Sequence, residues 1–174
     1  MVTAFDTGVR ADTARSVAET VTDPELPMLT LADLGVLRDV ETPEPGRVIV
    51  TVTPTYSGCP AISEMRADLH RTLTEAGYTR VEVRTALDPP WTTDWISDAG
   101  RRKLAEHGIA PPGRAPHTQQ GPVPLTLGPP RRHAHCPNCG SEATDELSEF
   151  SATACKALRR CRSCSEPFEH MKEI

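Results

Sequence analysis

The chain has 174 residues, 37% of them hydrophobic and 4% aromatic, with a formal net charge of −5. That length suits one ordinary domain plus something small, and its core must be mostly aliphatic. An acidic balance argues against a nucleic-acid partner, which needs a basic face. No apolar run nears the ~18–20 residues of a membrane span, and the opening residues lack the blocks of a secretory signal. The expected compartment is the cytoplasm, with no membrane partner.

Taken in order, "DTARSVAET" reads as a helix capped by Asp12, with Ala14, Val17 and Val21 on one face. "DPELP", Asp23 to Pro27, must break it, because each residue before a proline is pushed to extended geometry. "GVLRDVE" and "RVIVTVT" are β-rich runs around the hairpin signal "TPEPG". Ile62, Met65, Leu69 and Leu73 recur at helical spacing up to Gly77, where the helix should stop. "RVEVRTAL" is a further strand, and "WTTDWIS" leads into a short helix that Gly108 would end. The order predicts an α+β fold, a small mixed sheet with helices packed on it, over residues 1–110. Trp91 and Trp95 serve either as a partner-facing surface or as closure of that core.

Between strand and helix stands "TPTYSGCPAISEM". With Pro60 at the first helical position, Cys59 falls at or beside the cap, in the positive field of a helix N-terminus. That field favours thiolate and hence nucleophilic attack or metal binding. The opposing reading is a small buried hydrophobe beneath the helix, since cysteine is among the most buried residue types.

Residues 111–132 hold seven of the 17 prolines and three glycines. They read as a partly stiff, extended linker, so a domain boundary is expected here. Beyond it, over 133–174, Cys136/Cys139 and Cys161/Cys164 form two C-x-x-C pairs with 21 residues between them. Each pair makes a knuckle aiming two sulfurs at one centre, and two knuckles complete a tetrahedron around zinc. Short β-hairpins with a structural zinc follow, because a module of ~40 residues needs a metal or cross-links to fold. Disulfides are disfavoured in a reducing compartment. Iron is the minority alternative to zinc. Gly140 suits the turn after the first pair, and Lys156, Arg159, Arg160 and Arg162 are placed to offset thiolate charge. Cys155 and His135 are spare donors; the first reads as a packed residue, the second as a knuckle cap or a solvated side chain.

"DPELPMLTLADLGVL", a hairpin and "TVTPTYSGCPA" together resemble the SufT-like metal–sulfur cluster assembly domain. The stretches "WTTDWISDAGRRKLAEHGIAPP" and "SEFSATACKALRRCRSCSEPFEHMK" are similar to the PaaD component of the phenylacetyl-CoA 1,2-epoxidase system. The resemblance runs from about Ala14 to the C-terminus and implies a bacterial accessory protein of aerobic phenylacetate degradation. It implies partners too, a diiron oxygenase and a reductase, and a role in assembling or maturing an iron or iron–sulfur centre, with transient Fe or an Fe–S cluster as cargo. Carried over residue by residue, it marks Cys59 as a metal-handling thiol with Asp23, Glu25 and Thr53 in support, and it assigns no catalytic residue. The chain lacks the paired Glu and E-x-x-H helices of a carboxylate diiron bundle and a glycine-rich nucleotide fingerprint. A structural adaptor and a thiol transferase using Cys59 are the competing readings.

Overall fold

The computed structural model describes residues 13–113 and 134–174. The expected linker lies outside the described residues from residue 114 onward, as does Asp12. Two compact units divide the chain: the residues up to Trp91 with Trp95–Lys103, and Thr92–Asp94 with Leu104–Ile174. Among the described residues no helix is long and apolar enough to cross a membrane.

The first unit opens with a helix, α1, over residues 13–18. Ala14 and Ala18 are its buried residues, Val21 is buried beyond its end, and Val17 is only half-buried. The acidic turn follows, and strands β1 (Leu37–Glu44) and β2 (Arg47–Val52) pair antiparallel. Their turn is tighter than "TPEPG" suggests: β1 runs on through Glu44, and Gly46 takes φ +75°, a left-handed conformation that glycine adopts at least cost.

Helix α2 (Ile62–Glu75) then crosses over to β3 (Arg80–Thr85), which pairs with β2 in parallel from Arg47↔Arg80 to Val52↔Thr85. Parallel neighbours require such a crossover, so a helix between these strands follows from their pairing. Met65, Leu69 and Leu73 form its buried stripe, and each contributes roughly 1.5–3 kcal/mol by burial. The core is aliphatic, with Leu29, Leu31, Leu34, Val36, Val48, Val50 and Val52 among its fully buried side chains.

The opposite face of the sheet carries Glu44, Arg47 and Arg80 in one row and Glu41, Ile49 and Glu82 in the next. Arg47 pairs with Glu82 at 3.3 Å, Arg80 with Glu44 at 2.7 Å and Arg84 with Glu82 at 2.8 Å. Ile49 is nonetheless only 6% exposed. Long charged side chains shade an apolar neighbour with their stems while their heads stay in water.

In the second unit a four-stranded sheet runs β4-β7-β6-β5. Its strands are β4 (Ile109–Ala110), β5 (Thr144–Ser148), β6 (Lys156–Cys161) and β7 (Pro167–Met171). The helix before it, α3, spans Asp98–Glu106, and Gly108 at φ +76° ends it as expected. Two features carry no sequence signal. One is strand β7 itself; the other is the addition of Ile109–Ala110 to β7 in parallel, which brings the first two residues of "IAPP" into the ribbon sheet.

Candidate metal centre and corner thiol

Two similar loops build the metal centre. In the first, Gly140 N–H donates to Cys136 O at 2.8 Å, and Cys136 N–H to Ser141 O at 2.9 Å. In the second, Cys161 N–H donates to Glu166 O at 3.0 Å. After each C-x-x-C the chain needs a left-handed residue: Gly140 takes φ +73° and Ser165 takes φ +65°. Ser141 and Ser163 tie the loops together through their hydroxyls, 2.8 Å apart.

The sulfurs of Cys136, Cys139, Cys161 and Cys164 all lie within 4.8 Å of one another. Cys136 and Cys164 stand 3.7 Å apart, Cys139 and Cys161 3.5 Å. A disulfide would require about 2.05 Å. A zinc ion at about 2.3 Å from each sulfur puts tetrahedral neighbours about 3.8 Å apart, so the donor set fits the metal. The electrostatics agree. Backbone N–H groups of Cys164 and Ser163 draw the Cys161 pKa down to about 6. At Cys139 the N–H of Ser141 pulls downward, but the crowding sulfurs of Cys161, Cys164 and Cys136 outweigh it and push the thiol up to about 12. Four sulfurs this close cannot all ionise unless a cation joins them. These four cysteines hold a structural zinc, which supplies the cross-link that so small a sheet lacks.

The basic residues expected to offset this charge are engaged elsewhere. Lys156 Nζ is 2.7 Å from Glu169, Arg159 pairs with Glu146 at 3.3 Å, and Arg162 grips Asp145. Only Arg160 turns to a knuckle, where its Nε donates to Ser165 O at 3.1 Å. Nearness in sequence does not carry over into space here, because carboxylates on the neighbouring strands, Glu169 of β7 and Glu146 and Asp145 of β5, stand within ion-pair reach of these cations. Cys155 is buried, its sulfur 3.1 Å from Thr153 Oγ1, and it is not one of the four ligands. His135 is exposed, 3.9 Å from Glu142.

The corner thiol belongs to the first unit. Helix α2 begins at Ile62 with Ala61 as its cap, so Pro60 is not the first helical residue and Cys59 lies two positions before the cap. Ile62 N–H still donates to Cys59 O at 3.4 Å, and Ala61 provides no side-chain cap. Cys59 is 7% exposed, although Ser57, Gly58 and Pro60 around it are all exposed. It is a shallowly buried thiol beneath a surface turn.

Thr53, just beyond β2, is buried, and its N–H donates to Val36 O at 2.9 Å. Val36 and Leu37 N–H reach Leu31 O, and Leu31 N–H reaches Val21 O, so backbone bonds link the acidic turn to the corner. Asp23 is 4% exposed and its Oδ1 accepts the N–H groups of Glu25 and Leu26, both at 2.8 Å. That bonding shapes the turn. Glu25 faces water. Trp91 is buried, with Nε1 donating to Leu34 O at 2.9 Å, and Arg38 stacks 3.5 Å from the Trp95 ring centre, so both indoles serve the first unit's own packing.

Residues 12–85 match the model of a family described as iron–sulfur cluster assembly protein, and residues 120–172 match the PaaD zinc beta ribbon domain. The chain is 45% identical over 154 residues to a protein of Escherichia coli (strain K12) named as a putative 1,2-phenylacetyl-CoA epoxidase subunit, covering 88% of this chain and 87% of that protein. It is 34% identical over 80 residues to the Fe-S protein maturation auxiliary factor YitW of Bacillus subtilis (strain 168), covering 45% of this chain and 78% of that protein. A crystal structure of a domain of unknown function from Bacillus anthracis superposes with a TM-score of 0.55 at 26% identity, over 59% of this chain and 97% of that one. The chain therefore belongs to the PaaD family of 1,2-phenylacetyl-CoA epoxidase subunits.

Proposed function

We propose that this chain is an accessory component of the phenylacetyl-CoA 1,2-epoxidase system in aerobic phenylacetate degradation. In this reading it helps to assemble or mature an iron or iron–sulfur centre in a partner, the diiron oxygenase or the reductase, in the cytoplasm. The observation that carries it is the pairing of two matches in one chain: an iron–sulfur assembly match over 12–85, which contains the Cys59 corner, and a zinc ribbon match over 120–172.

Physical chemistry supports Cys59 as the metal-handling thiol. It follows the carboxyl end of a strand with a parallel neighbour and precedes the crossover helix, the place where open α/β sheets gather their ligands. The uncapped start of α2 favours a negative ligand there. Thr53 and Asp23 act by holding the corner and the acidic turn in place, with Glu25 at the exposed lip. The zinc ribbon is a rigid docking body. The proposed division is an assembly-like domain over 1–110, a linker at 111–132 and a ribbon over 133–174, with Ile109–Ala110 lent to the ribbon sheet as β4.

Cys59→Ser in cells expressing the whole system tests this reading. The fold survives, and the partner proteins purify with their iron content reduced severalfold. Full iron content and full epoxidase activity would reject it. The burial of Cys59 favours a second reading, a structural adaptor, which predicts stable co-purification with the oxygenase irrespective of residue 59.

A further inference from the structure

A cleft of about 370 Å³ lies within the ribbon unit, beside the first knuckle. Glu106 at the end of α3, Pro137 and Asn138 in the first knuckle, and Glu166, Pro167 and Phe168 after the second all line it, as does the ligand Cys136. Its chemistry is one-sided: two exposed carboxylates, two prolines and a phenyl ring, with no cationic side chain in the lining. Of the cations on and just after β6, Lys156, Arg159 and Arg162 are each committed to a carboxylate of their own, and Arg160 gives its Nε to Ser165 O at 3.1 Å. A divalent ion is a poor fit, because the four cysteines are the only His/Cys/Asp/Glu group converging on a metal-sized centre among the described residues. The volume sits near the lower end of the ~300–1,000 Å³ range of ligand pockets, room for one long side chain and its backbone.

We propose that this cleft receives a lysine or arginine side chain presented by a partner polypeptide. The aliphatic stem lies along Pro137, Pro167 and Phe168, and the charged head reaches Glu106 and Glu166. Apolar walls that end in carboxylates match a side chain that is apolar along its stem and cationic at its tip. The inference rests on the reading of the chain as a component that serves partner proteins, and it assigns the ribbon's docking face.

The test uses the full, zinc-loaded chain and two probes, N-acetyl-arginine methylamide and its neutral citrulline isostere, followed by amide chemical shifts. The arginine probe shifts the amides of Glu106, Asn138, Glu166 and Phe168 saturably. The citrulline probe binds about fivefold more weakly, as does the arginine probe to the Glu106→Gln/Glu166→Gln variant, a loss of about 1 kcal/mol that matches an exposed ion pair. Zinc content and melting of that variant match the parent. Equal binding of both probes, shifts confined to other residues, no shift at all, or displacement by magnesium would each overturn the proposal. The measurement does not involve Cys59, so its failure leaves the iron-content experiment untouched, and the reverse also holds.

Discussion

Gly35 and Trp95 approach so closely that a Cβ built on Gly35 would stand 2.6 Å from the Trp95 Cβ and 2.6 Å from its carbonyl oxygen. Gly35 also takes φ +68°. Gly35→Ala therefore meets a backbone cost of about 1–2 kcal/mol and overpacking of about 1–3 kcal/mol. Denaturant unfolding of the first unit should show a loss of roughly 2–5 kcal/mol, the sum of those two costs. Gly77→Ala is the control: φ is +98°, but nothing lies within 4 Å of its added Cβ, so only the backbone cost applies.

Asp23 accepts two backbone N–H groups in a buried turn. Asp23→Ala leaves both donors stranded and should cost about 2–3 kcal/mol. Asp23→Asn keeps an acceptor oxygen and should cost about 1 kcal/mol or less. Melting curves of the two variants check the structural part. Loss of iron from the partner proteins with Asp23→Asn, at near-parental stability, would show that the charge itself has a second task.

Ser165 occupies the left-handed position that Gly140 fills in the twin loop. Ser165→Gly relieves that strain, partly offset by glycine's greater freedom when unfolded, and should stabilise the ribbon by about 0.5–1 kcal/mol. The measurement is resistance to a chelator: the variant should keep zinc to a higher chelator concentration. Complete removal of zinc should abolish amide protection in β5, β6 and β7 while α2 and the β1–β3 sheet keep theirs, because binding and folding are one event in such a module.

Burial pushes the Asp33 carboxyl upward, but Lys103 Nζ at 2.6 Å and the N–H and hydroxyl of Thr30 outweigh it and hold its pKa below the ordinary 3.8. A carboxyl lowered on folding stabilises the fold at pH values above its unfolded pKa. That contribution is thus complete above about pH 4 and disappears as the pH falls through the lowered folded value. Thermal melts taken downward from about pH 5 should steepen in their decline below about pH 4. Asp33→Asn should be less stable at neutral pH and should flatten that limb.

Local rules made most of the first unit legible. Alternation marked β1 to β3, the stripe Met65, Leu69 and Leu73 marked α2, and Gly77 and Gly108 stood where their helices end. The four zinc ligands were equally plain, because C-x-x-C is a local geometry whose two copies need only meet. The start of α2 falls two residues later than Pro60 suggests, since proline fits a turn before the cap as well as the first helical position.

What the amino-acid sequence determined by itself was therefore whatever short-range chemistry dictates: strand and helix periods, turn glycines and paired thiols. Tertiary structure decided the rest. It decided that Ile109–Ala110 joins a distant strand (Ile109↔Glu169), that the basic residues of β6 meet carboxylates and not sulfur, and that Cys59 lies under its turn. The reason is physical. Strand pairing, charge partners and burial depend on which distant segments share a sheet or a core, and no local period encodes that choice.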